Sequence, residues 1–483
     1  MTTGAKPQEK RPNILIITVD DMNCDSVGVY GCTLEGTTPH MDNLAAAGIR
    51  FQYAHVQVAN CMPSRNTMWS GRYPHVHGVD GFRQLKDPKF PTLCDLMKEN
   101  GYFTAIRGKE THSTPYHPYP WDLVLSDTNK KIGPKKNAQS FYRSTKQGIA
   151  AAKQAEKPFC VMVNISDPHK PFYAMHGNGQ LWDDPNKPSK VFEAKDVPVP
   201  GFLFDQPVVR KELAHYYSSV RRADDCLGAI LNALDESGER DKTFILFLSD
   251  HGMPFPFAKT QLYHHSTRTP LIVCQSGVIK PNSLDDHHMV SAVDFLPTIL
   301  DAAAIKHPTG FNGRSFYPLL KGEKQDGRDM IFKDYNECAG RVRQPMRSVE
   351  TRKYCYIFNP WSDGKAMVKT ATQGTATYRR MKSLAPTDEK IAARLRLFDH
   401  RVLEELYDIE NDPDSLHNLI NDPAHAEAAN RLRKQLENWM EETNDHALEA
   451  LRRRDDKQAL ARYMDNQQKL VPARLKKKTG KRK

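Results

Sequence analysis

Residues 13–21 read NILIITVDD, and this run restricts the fold more than any other part of the chain. Five of the six residues 14–19 are aliphatic and none is charged. A strand that is apolar on both faces suits the interior of a largely parallel sheet covered on both sides. Two carboxylates follow at its carboxyl end, the edge at which open α/β sheets bind ligands. The pattern recurs in KPFCVMVNISDPH (157–169) and TFILFLSDHG (243–252), and TPLIVCQSG (269–277) reads as one more strand. Between them, PHMDNLAAAGIRF reads as a helix ending at Gly48. FPTLCDLMKENGYFTAIRGK gives a helix, a stop at Gly101 and a strand over 102–106. Over 211–236, Leu213, Tyr217, Val220, Leu227, Leu231 and Leu234 keep helical spacing. Strands alternating with helices predict a doubly wound α/β architecture.

The 483 residues suffice for one large α/β domain and a smaller one. The texture changes near residue 325. MRSVETRKYCYIFNP reads as short antiparallel strands, ELYDIENDPDSLHNLINDP as a turn-rich loop and 424–443 as an amphipathic helix. The expected organisation is therefore a large domain over 11–325, a smaller α+β unit over 326–450 and a basic tail over 451–483. Residues 183–201, rich in Pro and Lys, read as a surface loop able to shape a pocket. The net charge of +11 belongs to the tail. Residues 452–483 hold 13 Lys/Arg and 3 Asp/Glu, a balance of +10, which leaves about +1 for the rest. A solvated C-terminus explains this, and no nucleic-acid partner is expected. Nine scattered cysteines form no C-x-x-C pair, and their odd number leaves a free thiol, which leans towards a reducing compartment. MTTGAKPQEKRPN has no apolar core, so neither a signal peptide nor a membrane span is expected. The chain as given reads as cytoplasmic, or as exported if a leader was trimmed.

Two acidic strand ends call for chemistry. Asp20-Asp21 and Asp250-His251 occupy like positions. Adjacent carboxylates repel each other, and nearby positive charge relieves that. Hard divalent cations prefer carboxylate oxygens, although solvated turn residues explain the pattern equally well from local features alone. His251, a nitrogen donor, suits Ca²⁺ less and either ligates weakly or hydrogen-bonds nearby. Cys61, inside ANCMPSRNTMWSGR (59–72), reads on local grounds as a small buried residue.

CMPSR (61–65) fits the C-x-P-S-R signature of the sulfatase family, and SGRYPHVHG continues as that family does. NILIITVDD, TTPHMDNLAAAGIRFQYAH and ELYDIENDPDSLHNL also resemble sulfatase segments in family order, from Pro12 to about Asp445. SDHGMPFPFAKTQLY, AVDFLPTIL, QPMRSV and LENWMEETND resemble the heparan N-sulfatase (sulfamidase) branch. That branch usually carries Asp-Asn at the place of Asp250-His251 and Arg at that of Lys259; other sulfatases use Asp-His and Lys. The resemblance implies an alkaline-phosphatase-like fold, a large mixed sheet flanked by helices with a smaller α+β C-terminal domain.

It further implies that a formylglycine-generating maturation enzyme oxidises Cys61 to Cα-formylglycine. The aldehyde hydrate offers two hydroxyls on one carbon: one attacks sulfur, and loss of the proton from the other reforms the aldehyde and releases sulfate. One divalent cation, Ca²⁺ or alternatively Mg²⁺, is implied at Asp20, Asp21, Cys61, Asp250 and His251. Arg65 is implied to stabilise the hydrate or the charge beside the metal. RGKETH supplies Lys109 and His112, with one residue more between them than the family usually has; His112 is the candidate base for the second hydroxyl. His169 in SDPH and Lys259 in FAKT are implied to contact sulfate and the leaving atom, one of them donating a proton. The implied partner is a sulfated saccharide, most like the N-sulfoglucosamine end of heparan-type chains. Oligomeric state stays open, with a homodimer among the options. A phosphonate monoester or phosphodiester hydrolase of the same superfamily is the alternative enzyme. A non-catalytic glycan-binding protein, with Cys61 left as a thiol, is the alternative of another class. His264-His265 and His287-His288 read as surface or rim residues, because no second carboxylate cluster reads as their partner.

Overall fold

A computed structural model describes residues 11–126, 135–338 and 342–471. The run that opens the chain becomes β1, Asn13–Asp20, buried along its whole length. Its side chains alternate between two cores. Leu15, Ile17 and Val19 join one that includes residues of the helices Ala138–Gln154 and Pro207–Glu236. Ile14 and Ile16 join the other, with residues of Leu93–Glu99 and Phe295–Ala302. Each large aliphatic side chain so buried contributes roughly 1.5–3 kcal/mol, which is why a strand apolar on both faces belongs at the centre.

The sheet also holds β2 (Ile49–His55), β3 (Phe103–Arg107), β4 (Leu123–Val124), β5 (Phe159–Pro168), β6 (Thr243–Ser249), β7 (Leu271–Cys274) and β8 (Ser283–Ser291). Their spatial order is β4-β3-β5-β1-β6-β7-β2-β8. Strands β3, β5, β1 and β6 are neighbours and run parallel, with Ile16 facing both Met162 and Leu246. β7 runs antiparallel to β6 and β2, so the sheet is mixed, as expected. A second, antiparallel sheet has the order β12-β11-β10-β9, formed by β9 (Met330–Glu337), β10 (Arg343–Thr351), β11 (Tyr354–Phe358) and β12 (Glu404–Asp408).

β12 lies in the segment read as a turn-rich loop. Five residues with acidic flanks show too little alternation to be seen in sequence, yet Leu406 and Tyr407 are fully buried and paired with Tyr356 and Cys355. The helix expected over 211–236 starts earlier, at Pro207. Within 451–483, read as a basic tail, Lys457–Lys469 is a helix; Asp456 caps it and Arg343 donates to Gln467 at 3.0 Å. Residues 472–483, which carry the RLKKKTGKRK stretch, lie outside the described residues. No described helix is long and apolar enough to cross a membrane.

Two buried histidines shape the pH dependence in opposite senses. Burial pushes His77 down to about 3. Its Nδ1 accepts from the Val79 N–H at 3.0 Å, so a proton there has no place. His265 lies 3.1 Å from both Asp25 and Asp414. Burial alone would lower its pKa, but the two carboxylates raise it to about 9. Below about pH 6.5 the unfolded chain takes up a proton that folded His77 refuses, so stability falls with acid. The contribution of His265 is fully present below about pH 6.5 and is lost as pH rises through about 9. Thermal unfolding from pH 4 to 10 is expected to show a maximum near pH 6.5. His77→Asn should make the acid limb shallower, other buried histidines such as His169 supplying the rest of it, and His265→Asn should flatten the alkaline limb; unchanged limbs in both variants would refute the assignment.

Candidate active site

The four neighbouring parallel strands deliver their following residues to one edge. β1 supplies Asp20 and Asp21, β6 Asp250 and His251, β5 His169 and β3 Lys109. The helix Cys61–Ser70 places Cys61 in its first turn and Arg65 one turn on, on the same face. Lys259 comes from a loop between Phe257 and Thr260. Asp21 (φ 69°), Lys109 (φ 57°), Phe257 (φ 68°) and Thr260 (φ 58°) all take left-handed backbone, which costs of order 1–3 kcal/mol each; Asp21 and Lys109 belong to the cluster itself, and Phe257 and Thr260 flank Lys259. Gly252 is required beside His251, since a Cβ there would stand 2.2 Å from the His265 carbonyl oxygen.

Cys61 Sγ lies 3.2 Å from His251 Nε2, 3.6 Å from Asp20 Oδ1 and 4.0 Å from Lys259 Nζ. One potential ligand atom from each of Asp20, Cys61, Asp250 and His251 falls within 4.8 Å of the others; Asp21, Cys61 and His169 form an overlapping group. All five residues expected at a metal thus converge, with Asp21 3.2 Å from His251 Nε2. His112 belongs to neither group. Its ring stands edge-on to Phe82 with centroids 5.4 Å apart, and its Nδ1 is buried without a hydrogen-bond partner among the described residues.

Three fully buried aspartates face three cations. Lys259 meets both oxygens of Asp21 at 2.7 Å, Lys109 meets Asp20, and Arg65 Nε and Nη2 meet Asp250 at 3.0 Å. Burial alone would raise the pKa of Asp20, but Lys109, His169 and Arg65 hold it well below the carboxylate range. Asp21 is likewise lowered: burial alone would raise it, but Lys259, His169 and His251 together outweigh that. Asp250 moves the other way, raised by burial and by the charge of Asp20. Asp20 and Asp21 thus already have their ammonium partners, whereas Asp250 still favours added positive charge. His251 Nδ1 lies 3.0 Å from the Gly252 carbonyl, which fixes the proton there and turns the Nε2 lone pair towards Asp21 and Asp250. A cation among these atoms relieves both features.

Burial pushes the Cys61 thiol well above its ordinary pKa despite Lys259, so it is no thiolate. His169 is lowered to about 4 by burial, and His112 to about 3 by burial with Lys109 and Arg65; both rings are neutral at neutral pH.

The sequence missed the floor of the site. Arg65 Nη1 donates to Thr18 Oγ1 (2.8 Å) and Asn164 Oδ1 (2.6 Å), and Ser64 donates to the Asp250 carbonyl (2.7 Å). Thr18 and Asn164 are the polar interruptions of β1 and β5, in register with each other, and that was a readable signal. Thr370, from beyond the small sheet's third strand, bonds Thr260 beside Lys259. The placement of His264-His265 at the surface is corrected: both are buried. Glu350 of β10 is the carboxylate partner, 2.8 Å from His264 and 3.5 Å from His55. The Lys333 ammonium holds its other oxygen, and so already supplies the cation. His287 is exposed, and His288 pairs with Asp285.

The sulfatase family model matches residues 12–305, more than half the chain, and the model described as N-sulphoglucosamine sulphohydrolase, C-terminal, matches 250–365. The chain belongs to the sulfatase family and is thus a sulfuric ester hydrolase by class. More particularly, it is similar to N-sulphoglucosamine sulphohydrolase of Homo sapiens, 29% identical over 464 residues that cover 90% of each chain. A solved protein in complex with its substrate D-glucosamine-2-N,6-O-disulfate shares the fold, with a TM-score of 0.66 at 20% identity over 90% of this chain and 99% of that one. So does the phosphonate monoester hydrolase of Agrobacterium radiobacter, with a TM-score of 0.66 at 17% identity over 90% and 96%.

Arg65→Ala would leave Asp250 and Asp20, both fully buried, without their guanidinium. A loss of about 3–5 kcal/mol is expected, measurable by denaturant unfolding; a loss under about 1 kcal/mol would contradict this geometry.

Proposed function

We propose that the chain hydrolyses a sulfate ester or sulfamate on a sugar, most like N-sulfoglucosamine, with oxidised Cys61 as nucleophile. The observation that carries this is a buried, protonated cysteine within C-x-P-S-R, set among three aspartates, His251 and Lys259. A thiol so suppressed is a poor nucleophile, whereas a hydrated aldehyde at the same place offers hydroxyls. The resemblance to the human sulphohydrolase supports the N-sulfated sugar.

The donor set fits a hard divalent cation, Ca²⁺ or Mg²⁺, held by Asp20, Asp21, Asp250 and His251. It would supply charge for the sulfate oxygens and acidify the attacking hydroxyl. Arg65 fixes Asp250. Lys109 and Lys259 provide ammonium protons for the developing negative charge. His169 Nδ1 lies 2.5 Å from the Lys170 carbonyl, so its proton sits there and Nε2 is an acceptor. Lys259 is then the group with a proton to give the leaving atom. His112, neutral and with an unpartnered Nδ1, is the base available to the second hydroxyl.

Mass spectrometry of the tryptic peptide 51–65 from protein made with a maturation enzyme should show a loss of about 18 Da at Cys61, thiol to aldehyde. Cys61→Ala should abolish turnover, and chelation should lower it until Ca²⁺ or Mg²⁺ is returned. Comparing an aryl sulfate, N-sulfoglucosamine and an aryl phosphonate monoester separates the readings. Faster phosphonate cleavage would overturn the sulfatase assignment, and a Cys61 that stays a thiol even when the chain is made with a maturation enzyme, with sugar bound and not turned over, would make the chain a binding protein.

A further inference from the structure

Lys170 follows His169 and differs from the other cations of the site. Lys109, Lys259 and Arg65 each meet an aspartate. Lys170 Nζ makes one long hydrogen bond, 3.3 Å, to the carbonyl of Ala371, and among the described residues no carboxylate oxygen lies within 4.0 Å of it. The residue is half-buried. Burial and the repulsion of Lys259 lower its pKa, against the opposing pull of Glu212 and of Asp21, which Lys259 already holds. Glu212 is close enough to act on Lys170, but its oxygens are committed: they accept from the Ala376 and Thr377 N–H groups and the Thr377 hydroxyl at 2.7–3.0 Å.

Beyond Lys170 the positive charge continues. Arg379, within electrostatic reach of Lys170, is exposed and donates to two carbonyls, Gly374 (2.7 Å) and Asn178 (2.9 Å), rather than to a carboxylate. With Arg380, Gln206 and Gly179 it lines a cavity of about 580 Å³. The loop that carries Thr370 and Ala371 walls this side of the site, since Thr370 bonds Thr260 and Ala371 receives Lys170.

We propose that Lys170, backed by Arg379, is a second anion-binding position beside the catalytic pocket, taking a further sulfate or carboxylate on the saccharide that carries the scissile sulfate. The inference rests on the sulfatase reading and narrows it to sugars with at least two anionic groups. An ammonium acts as a point charge and accepts either anion, whose negative oxygens form charge-assisted hydrogen bonds.

The test uses the full chain bearing Cys61→Ala, which binds without turnover, and calorimetry with three ligands. These are N-sulfoglucosamine, its 6-sulfate, and a disaccharide of N-sulfoglucosamine with a uronic acid. At least one dianionic ligand is expected to bind about 10-fold more tightly than the monoanion, a difference of about 1.4 kcal/mol, that shrinks with added salt. The ligand that gains shows whether sulfate or carboxylate is read. Lys170→Ala should erase the preference, Lys170→Arg should keep it, and Arg379→Ala, exposed and remote from the core, should reduce it. Equal affinities, no binding of the dianionic sugars, or a preference that survives Lys170→Ala would overturn the proposal. An aryl sulfate has no second anion, so its turnover by the oxidised native chain reports on the sulfatase reading alone.

Discussion

Arg65 is where the strands and the helix meet. Its guanidinium reaches Asp250 at the end of β6, Thr18 in β1 and Asn164 in β5, from a helix that also carries Cys61. Three carboxylates could not stay close in a medium of low dielectric without such a partner, because their repulsion grows as water is excluded. The positions of Asp20, Asp250 and Cys61 are therefore consequences of one buried cation with fixed donor geometry. Lysine, a point charge on a flexible stem, could not bond three strands at once in this way.

The small sheet completes the site rather than merely following it in sequence. Asp334 N–H bonds the Gln57 carbonyl at 2.9 Å, and Glu350 with Lys333 gathers His55 and His264. These contacts fix the segments on either side of the catalytic edge, those around residues 55–57 and 262–267. The loop past β11 then brings Thr370 against Thr260. A core substitution in the small sheet would reach Lys259 through that chain of contacts.

What the sequence disclosed follows from locality. A strand apolar on both faces, ended by Asp20-Asp21 or Asp250-His251, states its own burial and its own polar edge, and the C-x-P-S-R signature marks Cys61 and Arg65. What stayed hidden depends on partners far along the chain. Glu350 lies 86 residues from His264, and no local pattern joins them. β12 is too short for its alternation to rise above its Asp and Glu flanks. Lys170 looks like any solvated lysine until its missing carboxylate is seen in three dimensions.

The side chain of Cys61 is almost entirely covered, and Arg65 beside it is wholly so. On the proposed chemistry another protein must act on this cysteine, and an enzyme that has to hold the chain around it could not grip a helix buried along its whole length. The order of events in the life of the chain is thereby set. On that chemistry oxidation would have to come while residues 61–65 are still extended, because folding buries them. A molecule that folds first would, on that chemistry, be sealed with a thiol in place of the nucleophile. The yield of competent protein is then decided by a race between two rates, not by an equilibrium.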